Sequence, residues 1–171
     1  RARVIPVELP PETTAALVAR ARDEDTTVHG ALSAAMLLGV LADTGRPRAG
    51  VAFGSPVNLR GALTPAVGDD VGFFVSMATF RATARLDEPL WALARRVRQA
   101  LEQLQRRGTH LSLVDLMPRI LRWLGAERLS PRALAQRWEG RIVATTGLTN
   151  LGRLQLEDTF GPLTLETSHF A

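Results

Sequence analysis

Apolar and polar positions alternate from Arg3 to Leu9, with Val4, Ile5, Val7 and Leu9 apolar, and the run stops at Pro10-Pro11. That pattern predicts a short strand entering a helix, because proline is tolerated in the first helical turn. Glu12 to Arg22 then places Ala15, Leu17, Val18 and Ala21 at helical spacing, and Asp23-Glu24-Asp25 ends the helix in an acidic turn. Thr26 or Thr27 is suited to cap a second helix reaching about Asp43. This helix is apolar on almost every side (Val28, Leu32, Met36, Leu37, Leu38, Val40, Leu41) and rich in small residues, the pattern of a helix buried at the centre of a domain.

After the turn Thr44-Gly45-Arg46-Pro47, Gly50 to Val57 reads as a buried strand and Asn58 to Asp70 as a polar loop. Val71 to Ala84, with Val71, Phe73, Phe74, Val75, Met77 and Phe80, is the strongest β signal. Asp87 is placed to cap a long helix with Pro89 in its first turn and Arg106-Arg107-Gly108 at its end. Two shorter helices are expected over Leu111–Leu124 and Ser130–Trp138, the second opened by Ser130-Pro131. Strands are expected at Arg141–Thr146, Gly152–Leu156 and Leu163–Thr167. With no repeat and no low-complexity linker, the whole chain reads as one α/β unit, helices packed on a mixed sheet.

Composition narrows the chemistry. The 171 residues are enough to bury a substantial core without staples, and the absence of cysteine removes disulfides, thiolate metal sites and a cysteine nucleophile. Three scattered His argue against a histidine metal centre. The longest apolar run, Ala31 to Ala42, is too short to span a bilayer, so no transmembrane segment is expected. No basic-then-apolar leader opens the chain, and the expected compartment is the cytoplasm. The chain lacks an initiator Met and opens directly into a strand pattern, which suggests a fragment.

All 21 basic residues are Arg. Between Trp91 and Arg141, 11 Arg face four acids, whereas the remainder holds 10 Arg and 13 acids. A local basic face could meet phosphates or an acidic partner. Nucleic acid is disfavoured as that partner: there is no Lys and no recognition motif, and Trp91, Trp123 and Trp138 read as helix-packing anchors.

Residue by residue, catalytic constellations are missing. His29, in the first turn of the buried helix, is held toward the neutral form by the helix N-terminus, and a packed, satisfied histidine is the preferred reading over a pocket-facing one. His110 sits in a turn and reads as a cap or surface residue, and His169 has no assignable role. There is no G-x-S-x-G, and the glycines of Gly147-Leu148-Thr149-Asn150-Leu151-Gly152 lie between strands rather than before a helix, which rules out a nucleotide fingerprint.

Four landmarks in order carry a resemblance. They are Thr26-Thr27-Val28-His29-Gly30-Ala31-Leu32-Ser33-Ala34-Ala35, then Ser55-Pro56-Val57-Asn58-Leu59-Arg60, then Val71-Gly72-Phe73-Phe74-Val75-Ser76, then Thr149-Asn150-Leu151-Gly152. Together they resemble the second half of the chloramphenicol-acetyltransferase-like superfamily, which includes peptide-synthetase condensation domains and polyketide-associated acyltransferases. The run Pro56 to Pro65 followed by Val71-Gly72-Phe73-Phe74 is most similar to the phthiocerol dimycocerosyl transferase type. The D-F-G-W-G motif of the plant branch is absent, and Ser76 and Thr149 stand where Asn and Ser are usual.

The resemblance implies a two-layer α/β sandwich lobe over residues 1–171, C-terminal in its parent, with its own end cut short. The catalytic H-H-x-x-x-D-G belongs to the N-terminal lobe and is not in these residues, so the segment alone is expected to be inactive. It implies acyl transfer from a coenzyme A or acyl-carrier-protein thioester to an alcohol, with no bound cofactor or metal. The alternatives are an amide-forming condensation lobe or a non-catalytic scaffold. By the same resemblance, Arg60 organises the site by pairing with the signature Asp, in preference to being an ordinary loop arginine. Ser76, Phe74, Thr149 and Asn150 would line the acyl and acceptor channel, and Phe73 and Met77 an acyl tunnel with Phe74, although alternate positions on such a strand are more often core. For Asn150, a turn satisfying its own backbone stands beside that reading. Arg95, Arg96 and Arg98 would dock an acidic carrier, against the plainer reading of a solvated face. An exposed apolar surface for the missing lobe, or for self-association, is also expected.

Overall fold

The computed structural model describes residues 4–68, 70–123, 125, 128–130, 132–133, 136, 144–152 and 159–165. Helix α1 (Pro11–Asp23) leads through a tight acidic turn to α2 (Val28–Asp43). Strands β1 (Arg48–Asn58) and β2 (Val75–Arg85) follow, with a short 3-10 turn at Arg60–Ala62 between them. Then come α3 (Leu90–Arg106), α4 (Thr109–Trp123), and the short strands β3 (Thr146–Gly147), β4 (Thr159–Phe160) and β5 (Leu163–Thr164).

The main sheet has the order β2-β1-β3. β1 and β2 are antiparallel over their full length, from Arg48 opposite Arg85 to Asn58 opposite Val75, and β3 runs parallel to β1 with Phe53 opposite Thr146. β4 and β5 form a separate two-stranded ribbon. Directly opposed residues share a face of the sheet, so Val51 with Ala82, Phe53 with Phe80 and Ser55 with Ala78 point to the helices. On that face α2 contributes Ala34, Leu37 and Leu41, and α3 contributes Leu93, Ala94, Val97 and Leu101. These residues, with Phe53 at their centre, are the core of a mixed α/β two-layer lobe, as the sequence predicts.

The helix boundaries follow from local chemistry. Thr27 caps α2, its hydroxyl accepting the Gly30 N–H at 3.0 Å. Gly30 is also where α2 meets α3: a Cβ there would lie 2.6 Å from Thr26 Oγ1 and 3.0 Å from the Ala94 carbonyl. On α3 the buried positions recur at three- and four-residue intervals, leaving Arg95, Arg96 and Arg98 toward solvent or partly covered.

Several expectations are corrected. Residues 4–10 form no strand, and Val4, Ile5 and Val7 are exposed. The second strand starts at Val75 rather than Val71, because Asn58, its last partner, ends β1; Val71 and Phe73 lie outside the ladder and exposed. α3 begins at Leu90 without a side-chain cap, because Pro89, which has no side-chain acceptor, stands at the cap position; Asp87 lies two residues earlier and pairs with the Arg85 guanidinium. His110 is buried in the first turn of α4, 7% exposed, and Trp123 is 84% exposed rather than a packing anchor. The expected helix over 130–138 begins as predicted, with Ser130 Oγ accepting the Ala133 N–H at 3.3 Å; much of the rest of it, Trp138, His169 and most of the strand expected over 152–156 lie outside the described residues. Among the described residues, no single helix is long and apolar enough to cross a membrane.

Candidate functional site

Three chain segments converge at the end of the sheet where β1 finishes. The first is the turn after β1. Asn58 Oδ1 accepts the Arg60 N–H at 3.0 Å, a local bond that bends the backbone into the 3-10 turn. The Leu59 N–H donates to the Phe74 carbonyl at 2.8 Å and so closes the base of a sixteen-residue loop, residues 59–74. Across that loop, Arg60 Nη1 donates to the Gly68 carbonyl at 2.6 Å and Nη2 to the Asp70 carbonyl at 2.8 Å. The same guanidinium lies 4.6 Å from the Phe74 ring centroid. A planar, permanently charged fork can make both bonds while stacking on a ring, which a lysine cannot.

The second segment is the start of β2. Ser76 is buried on the helix-facing side, and its hydroxyl donates to the His110 carbonyl at 2.5 Å. That bond draws the first turn of α4 against β2 and accounts for the burial of His110. The third segment follows β3. The Thr145 N–H donates to the Ala52 carbonyl at 2.6 Å and the Leu148 N–H to the Gly54 carbonyl at 3.1 Å, so the chain is delivered alongside β1 into the exposed turn bearing Thr149 and Asn150. Asn150 Oδ1 accepts the Gly152 N–H at 2.9 Å, and Gly152 takes a positive φ of 66°. Asn150 therefore satisfies its own turn, while Thr149 is left exposed at the surface.

Sequence reasoning did not single out Ser55. It is 4% exposed, and its Oγ lies 3.0 Å from His29 Nε2. Burial holds His29 below the usual histidine range, and its place in the first turn of α2 acts in the same direction. A serine in a buried apolar strand needs a partner, and that was the available signal.

The arginines of α3 are engaged. Arg95 Nη1 bonds Glu24 at 2.9 Å, Arg96 clasps Glu88 with Nη2 at 2.7 Å, and Arg98 reaches Asp25 at 3.0 Å. Glu24 is held below the usual carboxylate range: desolvation opposes this, and the Arg95 and Arg20 guanidiniums outweigh it. At the far end of the β1–β2 pair, an open hollow of about 520 Å³ is lined by Arg48, Thr83, Arg85, Asp87, Glu88, Pro89 and Arg96. Both of its carboxylates are already paired with arginines. Among the described residues, no group of three or more His, Asp or Glu is placed to hold a metal ion.

Residues 1–171 match the family described as phthiocerol/phthiodiolone dimycocerosyl transferase C-terminus. The chain belongs to this family. Its fold is similar to that of polyketide synthase associated protein 5 from Mycobacterium tuberculosis, with a TM-score of 0.52 and 22% identity over 57% of this chain. That alignment spans 26% of the other protein's length, and at such identity it speaks for the fold alone. No curated protein sequence matches the chain. Family membership agrees with the expected phthiocerol dimycocerosyl transferase type, and the mixed α/β fold with the expected fold class.

Proposed function

We propose that the chain is the C-terminal lobe of an acyltransferase that moves an acyl group from a coenzyme A or carrier-protein thioester to an alcohol. The observation that supports this most is the family match over the whole chain. The site end of the sheet is consistent with it. Arg60 holds the 59–74 loop, and the Thr149 hydroxyl stands exposed on the turn after β3, a suitable donor to charge developing on a thioester carbonyl oxygen. The described residues of this segment contain no base beside a nucleophile facing solvent, so proton abstraction is assigned to a second, N-terminal lobe.

That partner lobe needs a surface to cover. Phe73 is 90% exposed, and Val71, Val75 and Met77, its neighbours along the chain at the site end of β2, are exposed as well. Apolar side chains gathered in this way favour association, either with the second lobe or between copies of the isolated segment. Docking of an acidic carrier on Arg95, Arg96 and Arg98 belongs to the same proposal, although each of these cations already shares its charge with a carboxylate.

The test is acyl transfer by a protein carrying both lobes, using acyl-coenzyme A and carrier-bound acyl donors with primary alcohol and amine acceptors. Ester formation is expected, and none is expected from residues 1–171 alone. Amide formation in its place would move the chain to the condensation reading, and no transfer with any pair would sink the acyltransferase reading. Glutamate at Arg95, Arg96 and Arg98 is expected to slow only the carrier-bound donor; equal slowing of both donors would remove carrier docking from this face.

A further inference from the structure

We propose that His29 and Ser55 form a positioning pair that sets the Thr149 turn through β1; this deepens the acyltransferase reading and rests on it for its kinetic part. Ser55 lies on the helix-facing side of β1, and His29 supplies its side-chain partner from 26 residues earlier in the chain. His29 springs from a fixed base. The cap from Thr27 to the Gly30 N–H and the close approach of Gly30 to the Ala94 carbonyl hold the first turn of α2 against α3.

On the strand, Ser55 directly follows the two carbonyls that carry the parallel neighbour, Ala52 to Thr145 and Gly54 to Leu148. There is no slack at that contact: a Cβ on Gly147 would lie 2.5 Å from the Gly54 carbonyl oxygen. A shift of β1 at Ser55 is therefore passed to residues 145–148, and the next residue is Thr149. The same strand ends at Asn58, which bends the chain into Arg60. In either neutral tautomer the imidazole makes one hydrogen bond to the hydroxyl, as donor or as acceptor. The pair fixes position and transfers no proton, and neither residue is a catalytic residue.

Side-chain reach provides the test. A glutamine amide nitrogen at position 29 extends to the place of Nε2, whereas that of asparagine extends only to the place of Nδ1. In the full-length protein, His29→Asn and Ser55→Ala are each expected to speed amide exchange at Thr145 and Leu148 on the order of tenfold. With acyl-coenzyme A and a primary alcohol, both lower kcat on the order of tenfold while KM stays within about twofold. The double variant is no worse than either single one, and His29→Gln retains wild-type values. Unchanged exchange at Thr145 and Leu148 in both variants would overturn the proposal. So would failure of His29→Gln alongside His29→Asn, since the imidazole itself would then be required. If Ser55→Ala does not fold, the contrast between glutamine and asparagine decides. If the wild-type protein transfers no acyl group, the acyltransferase reading falls, and the exchange rates still decide for or against the pair.

Discussion

The Arg60 guanidinium lies over the ring of Phe74, 4.6 Å from its centroid, with both terminal nitrogens donating to carbonyls of the loop between them. One side chain thus closes a loop that has no ladder of its own. A loop of this length whose described residues hold only one 3-10 turn is commonly functional, and its shape here depends on a contact between its two ends.

Arg60→Ala is accordingly expected to cost about 1–2 kcal/mol, from two hydrogen bonds and a partly exposed cation–π contact. Limited proteolysis should cut residues 61–73 faster in the variant. Arg60→Lys should recover only part of the loss, because an ammonium cannot reach both carbonyls as a flat fork. Equal resistance to protease in all three proteins would show that the loop is held by other means.

The state of His29 gives a pH prediction. Its folded pKa is lowered by burial, so the unfolded chain takes up the proton first. Stability from this residue is complete above about pH 6.5, the ordinary histidine value, and declines as pH falls from there toward the folded-state value. Melting temperatures between pH 5 and 8 should show this slope in the wild type and lose it in His29→Gln. A slope that persists in the variant would assign it to other groups.

In the core, Phe53 is fully buried between α2, α3 and β2, with its ring 5.6 Å from that of Phe80. Phe53→Ala leaves a cavity that the helices can close only partly, and about 3–5 kcal/mol of stability should be lost. Denaturant unfolding measures this directly. A loss below about 1 kcal/mol would contradict the central placement of the ring.

Gly147→Ala tests the parallel strand. The added carbon would meet backbone rather than a flexible side chain, so β3 must move away from β1. A loss of about 1–3 kcal/mol is expected, with chemical-shift changes concentrated in residues 144–152. Shifts confined to the substituted residue would show that the approach is looser than described.

Much of this architecture was legible in the sequence. Helical spacing gave α1 and α2, the threonine pair gave the α2 cap, and β1 was bounded by its flanking turns. The errors have a common origin. Residues 4–9 and 71–74 carry strand-like patterns, yet pattern says nothing about whether a neighbour is present to complete a ladder, and none is found among the described residues. At the site, the landmark motifs led to Arg60 and to the 149–152 turn. The destination of Arg60 within its own loop was not legible, because backbone carbonyls leave no signature in a sequence. Nor does sequence spacing show that Arg95, Arg96 and Arg98 each meet a carboxylate, since Glu24 and Asp25 lie about seventy residues away and Glu88 precedes the helix.

The parallel pairing of β3 with β1 has a kinetic consequence. The β1–β2 hairpin closes over the sixteen residues 59–74, whereas joining Phe53 to Thr146 closes a far longer stretch of chain. Closing the longer loop costs only modestly more entropy, but few contacts reward it, since two register pairs hold β3. By contact order the β1–β2 hairpin is expected to form before β3 docks on β1, and pulse-labelled amide protection at Thr145 and Leu148 should lag behind that of the β1–β2 pair. On that order, a chain at the edge of its stability is expected to lose the Thr149 turn while its core is still folded.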